Sequence, residues 1–275
     1  VDETTYEPVR EFFQKLGGKP MGKDHPIAWT TEKHGGRFFY TELGHDVRSL
    51  DTDFGRQHVF EGIRWAANAP TESTAPTKPR VLLLGDSISM GYHPEVVAGL
   101  DDEVIVIRPE ENCEGTTKGA KQIKKWLALD GGNFDIVHFN FGLHDIKRVE
   151  SDGRPSDDPD DPSQADPAAY ARQLRHIVES IQASGATPIF ATTTPVPAGK
   201  VRPHRERADV DRYNQIARQI MAEYEISIND LNRFAAPQLD TLQRPVNVHF
   251  TPEGSQALGE RVTESIRDAL SRKSQ

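Results

Sequence analysis

The fold is decided by the stretch Val81-Leu82-Leu83-Leu84-Gly85-Asp86-Ser87, in which four apolar residues lead into a glycine and two polar residues. A short apolar run that ends at a glycine is typical of a strand buried in a parallel sheet. Ser87 then lies at the carboxyl end of the strand, where open α/β sheets bind their ligands. Its hydroxyl is a candidate nucleophile if a base reaches it; otherwise Gly-Asp-Ser is an ordinary turn or helix cap.

Apolar, strand-like segments alternate with amphipathic segments from this stretch to the C-terminus. The pattern predicts strands at 81–84, 103–107, 134–140, 187–193 and 226–229, and helices at 94–100, 117–129, 167–184, 205–224 and 255–270. Such alternation indicates βαβ units, and therefore an α/β domain with a doubly wound parallel sheet.

A candidate base lies near the other end of the chain, at His249. Thr251 and Pro252 follow it and suit the N-cap and the first position of the predicted final helix. A histidine on the loop before a terminal helix can point back over the sheet, so His249 pairs naturally with Ser87.

Two further turns follow predicted strands. The first contains Gly115, whose backbone N–H has no Cβ beside it to obstruct a ligand. The second is Gly142-Leu143-His144-Asp145. Each also fits a plain capped turn, with Thr116 as an N-cap in the first and Asp145 accepting backbone N–H groups in the second.

Taken in order, these four blocks resemble the SGNH (GDSL) hydrolase superfamily from about Arg80 to the C-terminus. That family has a Ser in Gly-Asp-Ser, then a Gly, an Asn in Gly-x-Asn-Asp, and finally Asp-x-x-His; here Ser87, Gly115 and His249 match. The resemblance implies a three-layer α/β/α, flavodoxin-like fold and ester hydrolysis without a cofactor. It implies that Ser87 attacks the carbonyl, that His249 accepts the proton, and that the N–H groups of Ser87 and Gly115 stabilise the oxyanion.

The chain departs from the family pattern at the third oxyanion donor. His144 stands where the family has the Asn of Gly-x-Asn-Asp. A neutral imidazole has one N–H and can replace the amide if the tautomer is right. Asn140, four residues earlier, is a rival donor, and the position of His144 in the motif favours His144.

The second departure concerns the acid behind the base. Val246 stands three residues before His249, where the family has Asp. The simplest hypothesis is a Ser–His dyad in which a backbone carbonyl, such as that of Val246, holds the second ring nitrogen. The side-chain oxygen of Asn247 is an additional candidate, and Asp230 and Glu253 are more distant ones.

Two loops are expected to border the site. The segment 150–162 is rich in Asp, Pro and Gly, which predicts a surface loop. It lacks the Asp-x-Asp-x-Asp-Gly spacing of a calcium loop, so no metal site is expected. The second loop carries Arg202, His204 and Arg205. These residues are candidates for contact with a polar substrate, and a solvated basic loop is the favoured interpretation.

Residues 1–69 differ in character from the rest and are separated from it by a Pro- and Thr-rich linker at 70–79. They predict a hairpin of 25–30 with 36–41 and a helix at 54–67. The segments 27–29, 37–45 and 62–66 resemble the C-terminal end of ThuA-like (trehalose-utilisation) domains, and a start within that pattern suggests a fragment. So short a segment buries little core, so we expect it to pack on the hydrolase part or to mediate homo-oligomerisation.

The composition of the chain limits the kinds of partner that it is expected to bind. The 275 residues carry a net charge of −9, with a pI near 5.6 and a mean hydropathy of −0.62. This charge opposes nucleic-acid binding through a basic face, and no apolar run approaches the ~20 residues that span a bilayer. The single cysteine, Cys113, cannot form an internal disulfide and is expected to be a small packing residue.

These observations predict a serine esterase that removes short acyl groups, with acetyl favoured, from a small-molecule or polysaccharide ester. The preference for a carbohydrate rests on the family resemblance and on the polar candidate loops. The alternatives are a lipid esterase or thioesterase, and a carbohydrate-binding pseudoenzyme.

Overall fold

The structure is a computed structural model that describes residues 26–44, 47–67, 78–101 and 103–273. The chain divides into two compact units, Val1–Thr77 and Lys78–Gln275. Most of the predicted linker, residues 70–77, lies outside the described residues.

The first unit contains the predicted hairpin. β1 (Ala28–Lys33) pairs antiparallel with β2 (Gly36–Thr41), and the turn between them has positive φ at both His34 and Gly35. A two-residue turn with this conformation matches the right-handed twist of the strands on either side of it. Two helices follow, α1 (Val47–Leu50) and α2 (Asp53–Ala66). The predicted helix at 54–67 is therefore present, shifted by one residue; His25, at the predicted start of the hairpin, lies outside the described residues.

The second unit is built on a five-stranded parallel sheet, as predicted. Its strands are β3 (Arg80–Leu84), β4 (Ile105–Ile107), β5 (Ile136–Phe139), β6 (Thr187–Ala191) and β7 (Ser227–Asn229). Their order across the sheet is β4-β3-β5-β6-β7. The chain therefore leaves β3 in one direction and later returns to place β5 on its other side. The gap between the carboxyl ends of β3 and β5 is the topological switch point, where such sheets bind ligands.

Helices cover both faces of this sheet. The long ones are α3 (Ser87–Leu100), α4 (Thr116–Leu127), α5 (Pro167–Ala183), α6 (Arg207–Glu223) and, after the short helices α7 (Leu231–Ala235) and α8 (Leu239–Leu242), α9 (Pro252–Lys273). Right-handed crossovers put α3 on one face and α4, α5 and α6 on the other. α9 packs against α3, and α5 packs against α4 and α6. The predicted three-layer α/β/α architecture is thus confirmed.

The core of the second unit is the apolar sequence of the strands and the inner stripes of the helices. Leu82, Leu83 and Leu84 are completely buried. On α5, Leu174 and Ile177 are buried at helical spacing, as expected of a core stripe. Full burial of such side chains stabilises the fold by roughly 1.5–3 kcal/mol each.

The predicted start of α3 was wrong. The helix was expected at 94–100 but begins at Ser87, because the Asp86 carboxylate accepts the Ile88 N–H at 2.9 Å and caps it. Pro94 lies inside the helix without ending it. Ser87 therefore occupies the first position of the helix.

Strand ends were also overestimated. The strand predicted at 103–107 begins at Ile105, because the N–H groups of Glu103 and Val104 bind the carbonyl of Leu100 in a turn. Those predicted at 134–140 and 187–193 are also longer than the observed β5 and β6. The helices α7 and α8 were not predicted. In the loop 150–162, Pro155 forms an isolated bridge with Val149, just before the loop.

Candidate active site

Ser87 lies half-buried at the carboxyl end of β3, on the first turn of α3. Asp86 is buried and is held by its bond to the Ile88 N–H, while the Ser89 hydroxyl donates to the Asp86 carbonyl at 2.7 Å. These bonds fix the backbone on both sides of Ser87. Its own N–H, at the start of a helix, has no acceptor among the described residues.

His249 reaches Ser87 from the loop before α9. Its Nε2 lies 2.8 Å from the Ser87 Oγ. Buried Gln243 supports the loop by donating to the carbonyls of Val248 and Pro195, at 3.1 and 2.9 Å. Thr251 caps α9 by accepting the Gly254 N–H at 3.0 Å. The chain thus brings together two residues that are 162 positions apart, within hydrogen-bond distance.

Asn247 holds the other side of the His249 ring. Its Oδ1 lies 2.7 Å from His249 Nδ1 and accepts the His249 backbone N–H at 2.9 Å. Because a backbone N–H can only donate, the amide oxygen must face His249. Nδ1 then carries the ring hydrogen, and the Nε2 lone pair is left to accept the hydrogen of Ser87.

This geometry corrects the expected source of support for the ring. The side chain of Asn247 is the partner of Nδ1, in place of the backbone carbonyl of Val246. Asp230 is occupied elsewhere, because it accepts Thr192 Oγ1 at 2.8 Å and pairs with Arg218 at 2.6 Å. No hydrogen bond or ion pair joins Glu253 to His249 among the described residues.

Val246 has a strained backbone. Its φ is +52°, in the left-handed region that a β-branched residue rarely adopts. This turn directs the next residue, Asn247, towards His249. Strained conformations of this kind cluster at functional sites, where the surrounding structure holds them in place.

Gly115 lies in the loop after β4, which the bond from the Cys113 N–H to the Gly85 carbonyl, 3.2 Å long, ties to the end of β3. It is the N-cap of α4, and the predicted cap, Thr116, is instead the first helical residue. A Cβ on Gly115 would lie 2.9 Å from both carboxylate oxygens of Asp145. Only glycine allows this approach, and its own N–H has no acceptor among the described residues.

Asp145 is the group that holds this turn in place. It is completely buried, and its Oδ1 accepts the Thr116 N–H at 2.8 Å as well as contacting the Thr116 hydroxyl. Burial raises the pKa of Asp145 to about 7 despite these bonds. The carboxyl group therefore ties the turn after β5 to the start of α4.

The two candidate third donors differ in their surroundings. Asn140 Nδ2 donates to the Ala191 carbonyl at 2.7 Å, so its amide is bound to the backbone of the neighbouring strand. His144 Nδ1 lies 3.4 Å from Lys147 Nζ, and its Nε2 has no partner among the described residues. Burial, followed by the charge of Lys147, lowers the pKa of His144 to about 3, so the ring is neutral.

Arg205 corrects the expectation of a solvated basic loop. It is only 9% exposed, and its Nε donates to the carbonyl of Leu143, the residue before His144, at 2.7 Å. Burial lowers its pKa to about 10. Burial, then Arg244, then Arg205 also lower the pKa of His249 below its ordinary value. The His249 ring is therefore neutral over most of the physiological pH range.

Lys147 was missed in the sequence, and Arg205 was expected in a solvated basic loop. Asn247 and Asp145 were named there, Asn247 as an additional partner for the His249 ring and Asp145 as an acceptor of backbone N–H groups. The Asp that ends Gly-x-Asn-Asp was a signal for Asp145. The spacing of Asn247 two residues before His249 was a weaker one. Lys147 and Arg205 have no signal in the sequence, because their roles depend on loops that meet only in the folded chain.

Within the described ranges, no group of three or more His, Cys, Asp or Glu side chains is placed to hold a metal ion. The helices in that part of the chain are too short or too polar to cross a membrane. Cys113 is buried, and burial raises the pKa of its thiol to about 11.

Comparison with known proteins places this site in a family. The family model for GDSL-like lipases and acylhydrolases matches residues 83–257, and the model for trehalose utilisation (ThuA) matches residues 1–66. The first match includes Ser87, Gly115, His144 and His249. No curated protein matches the sequence significantly.

Solved structures share the fold of the second unit. A lipase/acylhydrolase from Enterococcus faecalis is 21% identical with a TM-score of 0.57, over 69% of this chain and 96% of that one. The acetyl xylan esterase AlAXEase is 18% identical with a TM-score of 0.55, over 68% and 99%. A catalytic mutant of Axe2, an acetylxylan esterase from Geobacillus stearothermophilus, is 16% identical with a TM-score of 0.54, over 68% and 94%. With the family model spanning more than half of its length, the chain belongs to the GDSL-like lipase/acylhydrolase family.

Proposed function

We propose that this protein is a serine esterase that removes short acyl groups, acetyl foremost, from a carbohydrate. The observation that carries the proposal is the chain of contacts from Ser87 Oγ to His249 Nε2 and from His249 Nδ1 to Asn247 Oδ1. A nucleophile, a base and a group that orients the base are the arrangement required for acyl transfer through a covalent intermediate.

The reaction starts with the attack of Ser87 Oγ on the ester carbonyl carbon. His249 Nε2 takes the hydroxyl proton and becomes an imidazolium, which Asn247 Oδ1 stabilises through the Nδ1–H. A carboxamide carries no full charge, so this support is weaker than that of an aspartate. The tetrahedral intermediate collapses when the C–O bond to the alcohol breaks, and His249 returns the proton to the departing oxygen.

Three hydrogen-bond donors stabilise the negative charge of the tetrahedral intermediate. Two are the backbone N–H groups of Ser87 and Gly115, which have no other acceptor among the described residues. The third is the Nε2–H of His144. Each such donor contributes roughly 3–4 kcal/mol to the stabilisation of the transition state.

Hydrolysis of the acyl-enzyme completes the cycle. Water attacks the acyl carbon, His249 accepts one of its protons, and the bond from the carbon to Ser87 Oγ breaks as the proton passes back to the serine. The acid is released and the free enzyme is restored. No cofactor enters any of these steps.

The choice of a carbohydrate ester rests on two supports. Two of the structural neighbours named above are acetyl xylan esterases. In addition, the candidate site contains the polar side chains of Asn247, His144 and half-buried Lys147. Hydroxyl-rich substrates find hydrogen-bond partners in such a surface, whereas a long acyl chain requires apolar walls.

The test is a panel of p-nitrophenyl acetate, butyrate and octanoate, hydrolysed by the wild type, Ser87→Ala and Ser271→Ala. Ser271 is an exposed serine on α9 and controls for loss of a hydroxyl. We expect acetate to be preferred, Ser87→Ala to be inactive and Ser271→Ala to be unchanged. Release of acetate from acetylated xylan would then be measured directly.

Other results would assign a different function. A preference for octanoate would indicate a lipid esterase or thioesterase. Hydrolysis that persists at the same rate in Ser87→Ala, or no hydrolysis by the wild type, would reject the proposal; the second result combined with sugar binding would indicate a pseudoenzyme.

A further inference from the structure

Lys147 has a contact that the reaction steps above do not use. It lies three residues after His144, where the bond from the Ile146 N–H to the Gly142 carbonyl, 3.0 Å long, turns the chain back on itself. This turn brings Lys147 Nζ to 3.4 Å from His144 Nδ1, the long end of the hydrogen-bond range. No carboxylate among the described residues forms a salt bridge with this half-buried ammonium.

The chemistry of the two groups decides which ring nitrogen bears the hydrogen. An ammonium group has three donors and no acceptor, so His144 Nδ1 must offer a lone pair to it. In a neutral imidazole, the hydrogen then lies on Nε2. This is the nitrogen that has no partner among the described residues and is free to donate to a ligand.

The surroundings of His144 keep its ring neutral. Burial, then Lys147, Arg205 and His249 all lower its pKa. Glu114 and Asp145 act on Lys147 in the opposite sense, yet the pKa of Lys147 still lies below its ordinary value because of burial. The contact is thus between a cation and an uncharged ring.

An asparagine in this position would need no such support. Its amide always carries two N–H donors, and only its rotation matters. A histidine in the same position presents a donor in one tautomer and a lone pair in the other, and a lone pair facing the oxyanion would be repulsive. The replacement of Asn by His therefore creates a need for a group that selects the tautomer.

We propose that Lys147 is a positioning residue that holds His144 as the Nε2–H tautomer, so that the imidazole can donate a hydrogen bond to the oxyanion. The inference rests on the proposed esterase function for its consequence. The tautomer itself is a property of the resting protein and can be measured independently of turnover.

The first measurement is the tautomer. Long-range ¹H–¹⁵N spectra of the full chain distinguish protonated from unprotonated ring nitrogens, with His144 assigned by its loss in His144→Asn. We expect a protonated Nε2 and an unprotonated Nδ1 in the wild type and in Lys147→Arg, and a mixture of tautomers in Lys147→Met. An unchanged tautomer in Lys147→Met would overturn the proposal, whatever the enzyme hydrolyses.

The second measurement is a double-mutant cycle on kcat for p-nitrophenyl acetate. We expect Lys147→Met to lower kcat about three- to tenfold with little change in KM, because the oxyanion forms after binding. In the His144→Asn background, the same substitution should change kcat by less than about twofold. Lys147→Arg should restore most of the activity, and Lys124→Met, which removes an exposed lysine on α4, should have no effect.

The two measurements distinguish failure of tautomer control by Lys147 from failure of the proposed esterase function. An equal loss from Lys147→Met in both backgrounds would show that the lysine acts by its charge or by general structure, which contradicts tautomer control. If activity does not depend on Ser87, the proposed function fails, and the spectra still decide whether Lys147 sets the tautomer.

Discussion

Replacing Asn247 by Asp would give His249 a charged partner in place of a neutral one. The wild-type contact is 2.7 Å between Oδ1 and Nδ1, which places the centres of charge of a carboxylate and an imidazolium roughly 4 Å apart. At an effective dielectric constant of ~20 this attraction is about 4 kcal/mol. Asn247 is exposed and His249 is half-buried, so we discount it to about a third, or roughly one pKa unit.

The sign follows from the state of the base. Burial and the nearby Arg244 and Arg205 lower the pKa of His249, so the wild type loses kcat/KM only as the pH falls below the usual titration range of histidine. A carboxylate at 247 raises this pKa. The acidic limb of the profile therefore moves about one unit upward, and the plateau rises by up to about tenfold because the imidazolium is better stabilised.

The assay is the pH profile of kcat/KM for p-nitrophenyl acetate with the wild type, Asn247→Asp and Asn133→Asp. Asn133 is exposed just before β5, at the edge of the sheet opposite to Ser87, and controls for the added charge. An acidic limb that stays in place or moves downward in Asn247→Asp would refute the assignment of Asn247 as the partner of His249.

Three further predictions concern residues in the loops of the candidate site. Gly115→Ala should lower kcat by about 10²–10³-fold without unfolding the protein, since the new Cβ meets Asp145 at 2.9 Å and displaces an oxyanion donor; near-normal kcat with normal thermal unfolding would contradict this. Val246→Asn should raise the free energy of unfolding in urea by about 1 kcal/mol, because asparagine tolerates φ of +52° better than valine; a loss of stability would show that the backbone is not strained. Burial raises the pKa of Asp145 to about 7, so this carboxyl group binds more protons in the folded than in the unfolded protein between about pH 4 and 7. The protein should therefore lose stability as the pH rises through that window. Asp145→Asn should remove this loss, which is about 2–4 kcal/mol. An equal pH dependence of the free energy of unfolding in urea for both proteins would contradict this prediction.

The alternation of apolar and amphipathic segments was sufficient to predict the sheet and most helices. Strand β3 and helix α5 have strong one-dimensional signals, because β3 is a continuous buried apolar run and α5 carries a buried apolar stripe at helical spacing. The start of α3 could not be predicted in the same way, since Gly91 and Pro94 suggest a break. The structure tolerates them because Asp86 caps the helix and α9 packs along it.

The site residues that belong to sequence motifs could be predicted, whereas those whose contacts depend on the folded loops could not. Ser87 and His249 belong to motifs that can be found along the chain. For the partner of His249, the backbone carbonyl of Val246 was the simplest expectation and the side chain of Asn247 only an additional one, because nothing in a sequence shows the positive φ at Val246. Lys147 was missed, since its contact with His144 depends on the shape of one turn.

The central claim is that Ser87 forms an acyl-enzyme with the help of His249. It is tested most directly by acid-quenching the wild type, His249→Ala and Ser87→Ala during turnover of p-nitrophenyl acetate, followed by peptide mass spectrometry. We predict one acetyl group on the peptide that contains Ser87 in the wild type, and far slower formation of that adduct in His249→Ala. Turnover without acetylation of Ser87, or an equal adduct in both proteins, would contradict the mechanism.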